Sequence, residues 1–494
     1  MAFSAIIVEI VSKKSLNKEI NMNKLAWPQI RQGGMGVRIS GPNLARTVAM
    51  LGGAGTVTGV LLERVVARIL QQGDPGGHFR RALSHFPFPD VANSVLRSYF
   101  IAGGIPNGGT YKGVPVFSVQ PSKLLIALTI CANFAAVWLA KEGHGNHITI
   151  NYLEKVAMPH VYAITGAMLA SVDYVTMGAG IPLQIPELIS SIADGKLASY
   201  RIPVVGRNTV PYTMSFNPEN FFGGKLPPMK PPGFIPIISS NLLASILTKK
   251  LPEGSISGFV VEEWTAGGHN APPRKLVLGK EGEVLPVYGT KDVVDYGEIA
   301  KFGVPFWIGG SKASPDALQW ALSVGAAGIQ SGSIFALCEE SDMDAAIRKR
   351  ICQLGFAGKL TVSTDMLISP TGFPFKVAHL SGTLSQVEVY AARQRVCNQG
   401  ALVTLYVTPN GSLGYRCAAE PVDRFVAKGG AAADTAGRGC ICNALAVTAG
   451  IGDPGEPPVV TLGDDVSFLK KLMATPDSSY SAEAAIKYLL GNTT

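Results

Sequence analysis

The residue with the clearest chemical setting is His269. It follows Ala266-Gly267-Gly268, soon after the apolar run Gly258–Glu262. An imidazole displayed at a strand end can take or give a proton near neutral pH. The plainer alternative is a structural histidine bonded to a carbonyl. His78, His85, His144, His147, His160 and His379 lack such a setting, and His147 opens a strand, away from an active face. No HExxH motif or regular His/carboxylate spacing marks a catalytic metal, so none is expected. Cys397, Cys417, Cys440 and Cys442 gather late in the chain, without the paired two-residue gaps usual for zinc or iron–sulfur sites. Free buried thiols are the expectation, with a structural metal as the alternative.

A second chemical signal is the pair Gly309-Gly310-Ser311 and Gln330-Ser331-Gly332-Ser333. Each ends an apolar run and precedes a predicted helix. Backbone N–H groups at such turns, with the positive end of a helix dipole, suit a phosphate. The alternative is that these glycines only permit tight turns. Other distinctive stretches also follow apolar runs: Gln32-Gly33-Gly34-Met35-Gly36, Asn151 to Lys155, and Met177-Gly178-Ala179-Gly180.

These residues need a scaffold that brings strand ends together. Eight runs rich in Val, Ile and Gly predict strands over Pro28–Val37, Gly55–Gly59, His147–Asn151, Val172–Met177, Phe234–Ser239, Gly258–Glu262, Val304–Ile308 and Gly328–Gln330. Helices are predicted between them, such as Pro42–Leu51, Val161–Ala170, Asn241–Lys249 and Ser314–Val324. Ser40 or Asn43 is expected to cap the first, and Ser314 before Pro315 the last. Eight βα units close an α/β (β/α)8 TIM barrel, whose active face lies at the strand C-termini.

The barrel is expected over residues 22–350, with insertions near 61–145 and 199–232 around its mouth. Residues 1–21 read as a leader, and 351–494 as a mainly helical appendage packed on the barrel. The uncharged run Leu124–Ala140 reads as a buried segment, because it is at the short limit for a membrane span and has no second span to match. Seven cysteines, an odd number, argue against a disulfide framework and fit a reducing, cytoplasmic compartment. The formal charge of +8 comes from scattered lysines and arginines. It is therefore no nucleic-acid footprint, though it would suit an acidic carrier protein.

Taken together, the residues resemble the nitronate monooxygenase (2-nitropropane dioxygenase) family, which includes flavin-dependent enoyl-acyl carrier protein reductases. The resemblance covers roughly 22–340, with gaps at the insertions. It is most specific at Gly33–Gly36, Ala266–His269 and Gly325–Phe335, and Glu339-Glu340-Ser341 is similar to the pair that often ends the pattern. It implies a non-covalent FMN, with Gly309, Gly310, Gly332 and Ser333 at its phosphate. Gly34, Met35, Asn151 and Gln330 would lie near the ring, with Gly178 and Gly180 beside it, and Gly267 and Gly268 would lead His269 to the flavin N5. The implied activity is oxidation of alkyl nitronates with oxygen to carbonyl compounds and nitrite. The alternative is an NAD(P)H- and FMN-dependent enoyl-thioester reductase, with an acyl carrier protein as partner. A flavin-less binding barrel is a third reading.

Two departures bear on the substrate. Glu263-Trp264-Thr265 stands where the family has a glycine and an acidic residue, and Asn270-Ala271-Pro272-Pro273-Arg274 follows the histidine. The Ser369–Pro374 stretch looks closer to larger reductase-like members. The expected partner is a small-molecule substrate, with no nucleic acid and no membrane; a homodimer is left open.

Overall fold

Alternation of side chains is what builds the central sheet. In Ile148–Leu153, Ile148, Ile150 and Tyr152 are buried against helices, and the Tyr152 hydroxyl donates to Asn133 Oδ1 at 2.8 Å. Thr149 and Asn151 point the other way, into the centre of the sheet; Thr149 Oγ1 meets the Arg31 guanidinium there. The computed structural model describes residues 27–106, 109–206, 211–279 and 284–492. The expected leader, 1–21, lies outside them.

The barrel strands are β1 (Ile30–Gln32), β2 (Gly55–Thr58), β3 (Ile148–Leu153), β4 (Tyr174–Gly178), β5 (Gly233–Ile238), β6 (Phe259–Glu262), β7 (Phe306–Gly309) and β8 (Gly328–Ser331). Every neighbouring pair is parallel, in the order β1-β8-β7-β6-β5-β4-β3-β2. The two ends meet at a parallel bridge, where Gln32 N donates to Ala54 O and Ala54 N to Ile30 O. The sheet is therefore a closed (β/α)8 barrel. All eight predicted strands are in it. The first is shorter than its apolar pattern, because the chain turns away at Gly33.

Trp307, Val260 and Ile235 fill the lower barrel, with Trp27 and Tyr174 packed beneath. His147 stacks there, away from the mouth, as its place at a strand start implied. The Arg31 guanidinium lies over the Trp307 ring, one layer below the strand ends.

The predicted helices appear as Pro42–Met50, His160–Leu169, Asn241–Lys250 and Pro315–Ser323. Ser314 caps the last through Ala317 N. The first is different: its N-cap is Gly41, with no side-chain cap. Ser40 is committed elsewhere, as described below, and Asn43 lies inside the helix.

Within the longer insertion, the apolar run forms helix Lys123–Lys141, buried against Leu62–Gln71, His78–Ser84, Pro89–Tyr99 and His160–Leu169. By length and composition it could cross a membrane, but 78% of its apolar window is buried inside the protein. Its closest approach to His160–Leu169 needs Gly166, where a Cβ would sit 2.2 Å from Ile130 O. Gly166→Ala is expected to cost about 2 kcal/mol by overpacking, read as a lower urea midpoint at unchanged m-value. A wild-type midpoint would mean that the helices do not touch there.

Residues after 351 carry two hairpins, Val362–Asp365 with Phe375–Ala378 and Thr404–Val407 with Leu413–Arg416, besides short helices such as Ile441–Thr448. They roof the strand C-termini: Leu402, Ile441, Cys442, Leu445 and Leu462 face the barrel mouth.

Candidate active site

The turn after β1 is held by its own polar residues. Ser40 Oγ donates to Gly33 O at 2.8 Å and accepts from Met35 N and Gln32 Nε2, both at 3.0 Å. This network is why Ser40 does not cap the following helix. It presses Gly34 onto Asn151, so closely that a Cβ on Gly34 would lie 2.3 Å from the asparagine's own Cβ.

β7 and β8 are neighbours, with Gly309 opposite Gln330, so their turns lie side by side. Gly310 has φ 107°, which favours glycine, and Ser311 follows in the left-handed region at 49°. Among the described residues, the amides of Gly310, Ser311, Gly332 and Ser333 donate to no other residue in the turns and loops. Lys312 follows, its ammonium 2.7 Å from Glu263 Oε2. The Ser333 hydroxyl accepts from Gly463 N at 2.9 Å, tying the C-terminal roof to this turn.

His269 is placed by the roof as well as by β6. Its backbone bridges to Phe375, and its ring stands edge-on to the Phe375 ring at 5.0 Å. Nε2 shares a 2.7 Å hydrogen bond with Ser369 Oγ, which leaves Nδ1 for an occupant. Burial, reinforced by the Lys155 charge, lowers its pKa to about 3. An imidazolium is thus disfavoured, and the ring is neutral near pH 7. Lys155 is itself lowered to about 7, chiefly by burial, with its ammonium over the Phe373 ring.

One cavity joins these parts. Gly34, Met35, Asn151, Gly178, Gly267, Gly268, His269, Gly309, Gly310, Gln330, Gly332 and Ser333 all line it. Gly180 does not: it packs on the Glu154 side chain, where a Cβ would lie 2.7 Å from Glu154 Cβ. Sequence reasoning missed Glu262 as a site residue, although it ends an apolar strand just before the glycines. It also missed Ser369 and the Thr461–Gly463 roof, which are far away in the chain and carry no local signal.

The cavity encloses about 1660 Å³ of open space, counting the part open to solvent. The amides at these two adjacent turns and the glycine-rich wall fit a phosphate-bearing cofactor. Among the described residues, no three His, Cys, Asp or Glu side chains gather as metal ligands.

No family model and no curated protein matches the chain. Solved structures do. FabK from Thermotoga maritima is 13% identical, with a TM-score of 0.48 over 94% of this chain and 92% of that one. A nitroalkane oxidase from Streptomyces ansochromogenes is 12% identical, with a TM-score of 0.42 over 94% and 95%. The enoyl reductase domain of MlnA from Bacillus amyloliquefaciens is 12% identical, at 0.37 over 74% and 66%. At these values the likeness carries no functional argument. The fold rests on strand order and closure, and function on the site's own residues.

Proposed function

We propose that the chain is an FMN-dependent oxidoreductase. The observation that carries this reading is the pair of amide-lined turns at Gly310 and Gly332, opening into the same cavity as His269. When bound, the flavin would supply the electron transfer. Gly310, Ser311, Gly332 and Ser333 would hold its phosphate by charge-assisted hydrogen bonds. The roof covers part of the mouth, and neutral His269 offers a hydrogen bond at Nδ1.

For the substrate, the wall favours an uncharged chain-bearing molecule, such as an enoyl thioester, over a small anionic nitronate. Lys312 is the cation among the described wall residues, and it is paired with Glu263. Val60, Leu61, Val156, Leu402 and Leu445 form an apolar arm. A buried anion without a charge partner is costly. An acidic carrier protein could present the thioester to this basic chain.

Anaerobic stopped-flow mixing with NADH, NADPH and propyl-2-nitronate separates the two substrate classes. The expected result is flavin bleaching by a nicotinamide, then reoxidation by a crotonyl thioester. Bleaching by the nitronate alone would favour nitronate oxidation instead. Purified protein that is colourless and takes up no FMN would remove both.

A further inference from the structure

Glu262 is the last residue of β6, opposite Gly309, and its side chain faces into the barrel mouth. It also lines a second space, a polar cleft between the Ser239–Leu242 turn and residues 271–274 and 288–293, with Trp264, Tyr288 and Lys291 on its wall. Among the described residues, Glu262 is the one side chain common to both spaces. We propose that Glu262 is a proton relay, loaded from water in the outer cleft and discharged to the reacting molecule in the main cavity.

The surroundings leave the carboxyl free for this role. On the cavity side, His269 is bonded to Ser369 and Lys312 to Glu263, and the other acidic wall residue is Asp465. Tyr296 donates to Glu263 rather than to Glu262. In the cleft, Tyr288 is bonded to Asn270 and Ala271 O, and Arg274 lies 4.0 Å from Asp292; Lys291 is exposed. Burial is the one influence on Glu262, and it pushes the carboxyl up to about 8. It is thus an uncharged acid near neutrality, able to donate. His269, neutral and weakly basic, is a poor proton source beside it. Each passage moves one proton: the acid gives it to a basic atom of the occupant, and the carboxylate regains it from a cleft water, which leaves hydroxide to the solvent.

This role rests on the main cavity being the reaction site, but its test does not need a bound flavin. Infrared difference spectra of the full chain across pH should show a protonated-carboxyl band that disappears with a midpoint of about 8. Glu262→Gln should lack it. Filling the cleft with Ala271→Leu should keep the band but slow its exchange in D2O by about tenfold or more. Persistence of the band in Glu262→Gln overturns the assignment. Unaltered exchange in Ala271→Leu overturns the cleft as the route. Either result can be read in colourless protein, so it is separable from failure of the flavin reading.

Discussion

Gly332→Asp should raise the FMN dissociation constant by about 100-fold or more, with little change in melting temperature. Gly332 has φ −103° and ψ −63°, which any L-residue adopts, and a Cβ there meets only Met35 atoms at 3.6 Å. The fold therefore has room for the side chain. The space it enters belongs to the cavity that Gly310, Ser311 and Ser333 also line. A carboxylate there would occupy their amide donors and repel a phosphate. Each hydrogen bond to a charged group is worth about 1.5–3 kcal/mol, and about 1.4 kcal/mol is tenfold in affinity, so losing two gives the stated change. Gly332→Ala, which adds no charge, should cost less than about tenfold by the same conversion. Titration of FMN fluorescence into apoprotein reads both. Wild-type affinity in Gly332→Asp would place the phosphate elsewhere.

The barrel was legible in the sequence because its strands are uniform. Most are short runs with glycine or proline at one end, and parallel strands buried on both faces need little more. The β7 and β8 turns were legible for the same reason, since glycine and hydroxyl residues at the strand ends are local features. The first strand was overextended because Val37 and Ile39 continue the apolar pattern. Both are buried, but on a loop held by Ser40 rather than in a strand. Gly180 looked like part of the Gly178 turn, yet two residues further on the chain has turned towards Glu154. The state of His269 was not legible at all. Its neutrality depends on Phe375, Ser369 and the roof, about a hundred residues later in the chain. Spacing reveals which residues stand at strand ends; it says nothing about what covers them.

That covering divides the chemistry between two groups. A histidine alone at the mouth would read as the acid–base residue, with activity changing around its ordinary pKa of about 6.5. Here burial sets the imidazole to about 3 and Glu262 to about 8. Two groups whose surroundings push them apart have distinct jobs: the carboxyl handles protons, and the imidazole orients through a neutral hydrogen bond.

His269→Ala should therefore lower kcat/KM by about 100-fold or more, within the range of about 10²–10⁴ for a positioned acid–base or hydrogen-bonding group, without altering the shape of the pH profile. Wild type and variant should both lose activity above about pH 8, where Glu262 ionises, and should share any change near 7 that comes from Lys155. A limb near 6.5 that vanishes in the variant would mean that the imidazole titrates and is open to water. Stability gives an independent check with a definite sign. The folded pKa of His269 is depressed below its unfolded value, so the unfolded chain binds the proton more readily. Its contribution is complete above about pH 6.5 and is lost as pH falls towards about 3. His269→Asn should start from a lower stability at neutral pH, because the fit to Ser369 and Phe375 changes, but should lose less of it between those limits. Some acid sensitivity remains in the variant, because buried His160 is held at about 4 in the same direction. Equal acid slopes in the two proteins would place the imidazole in water.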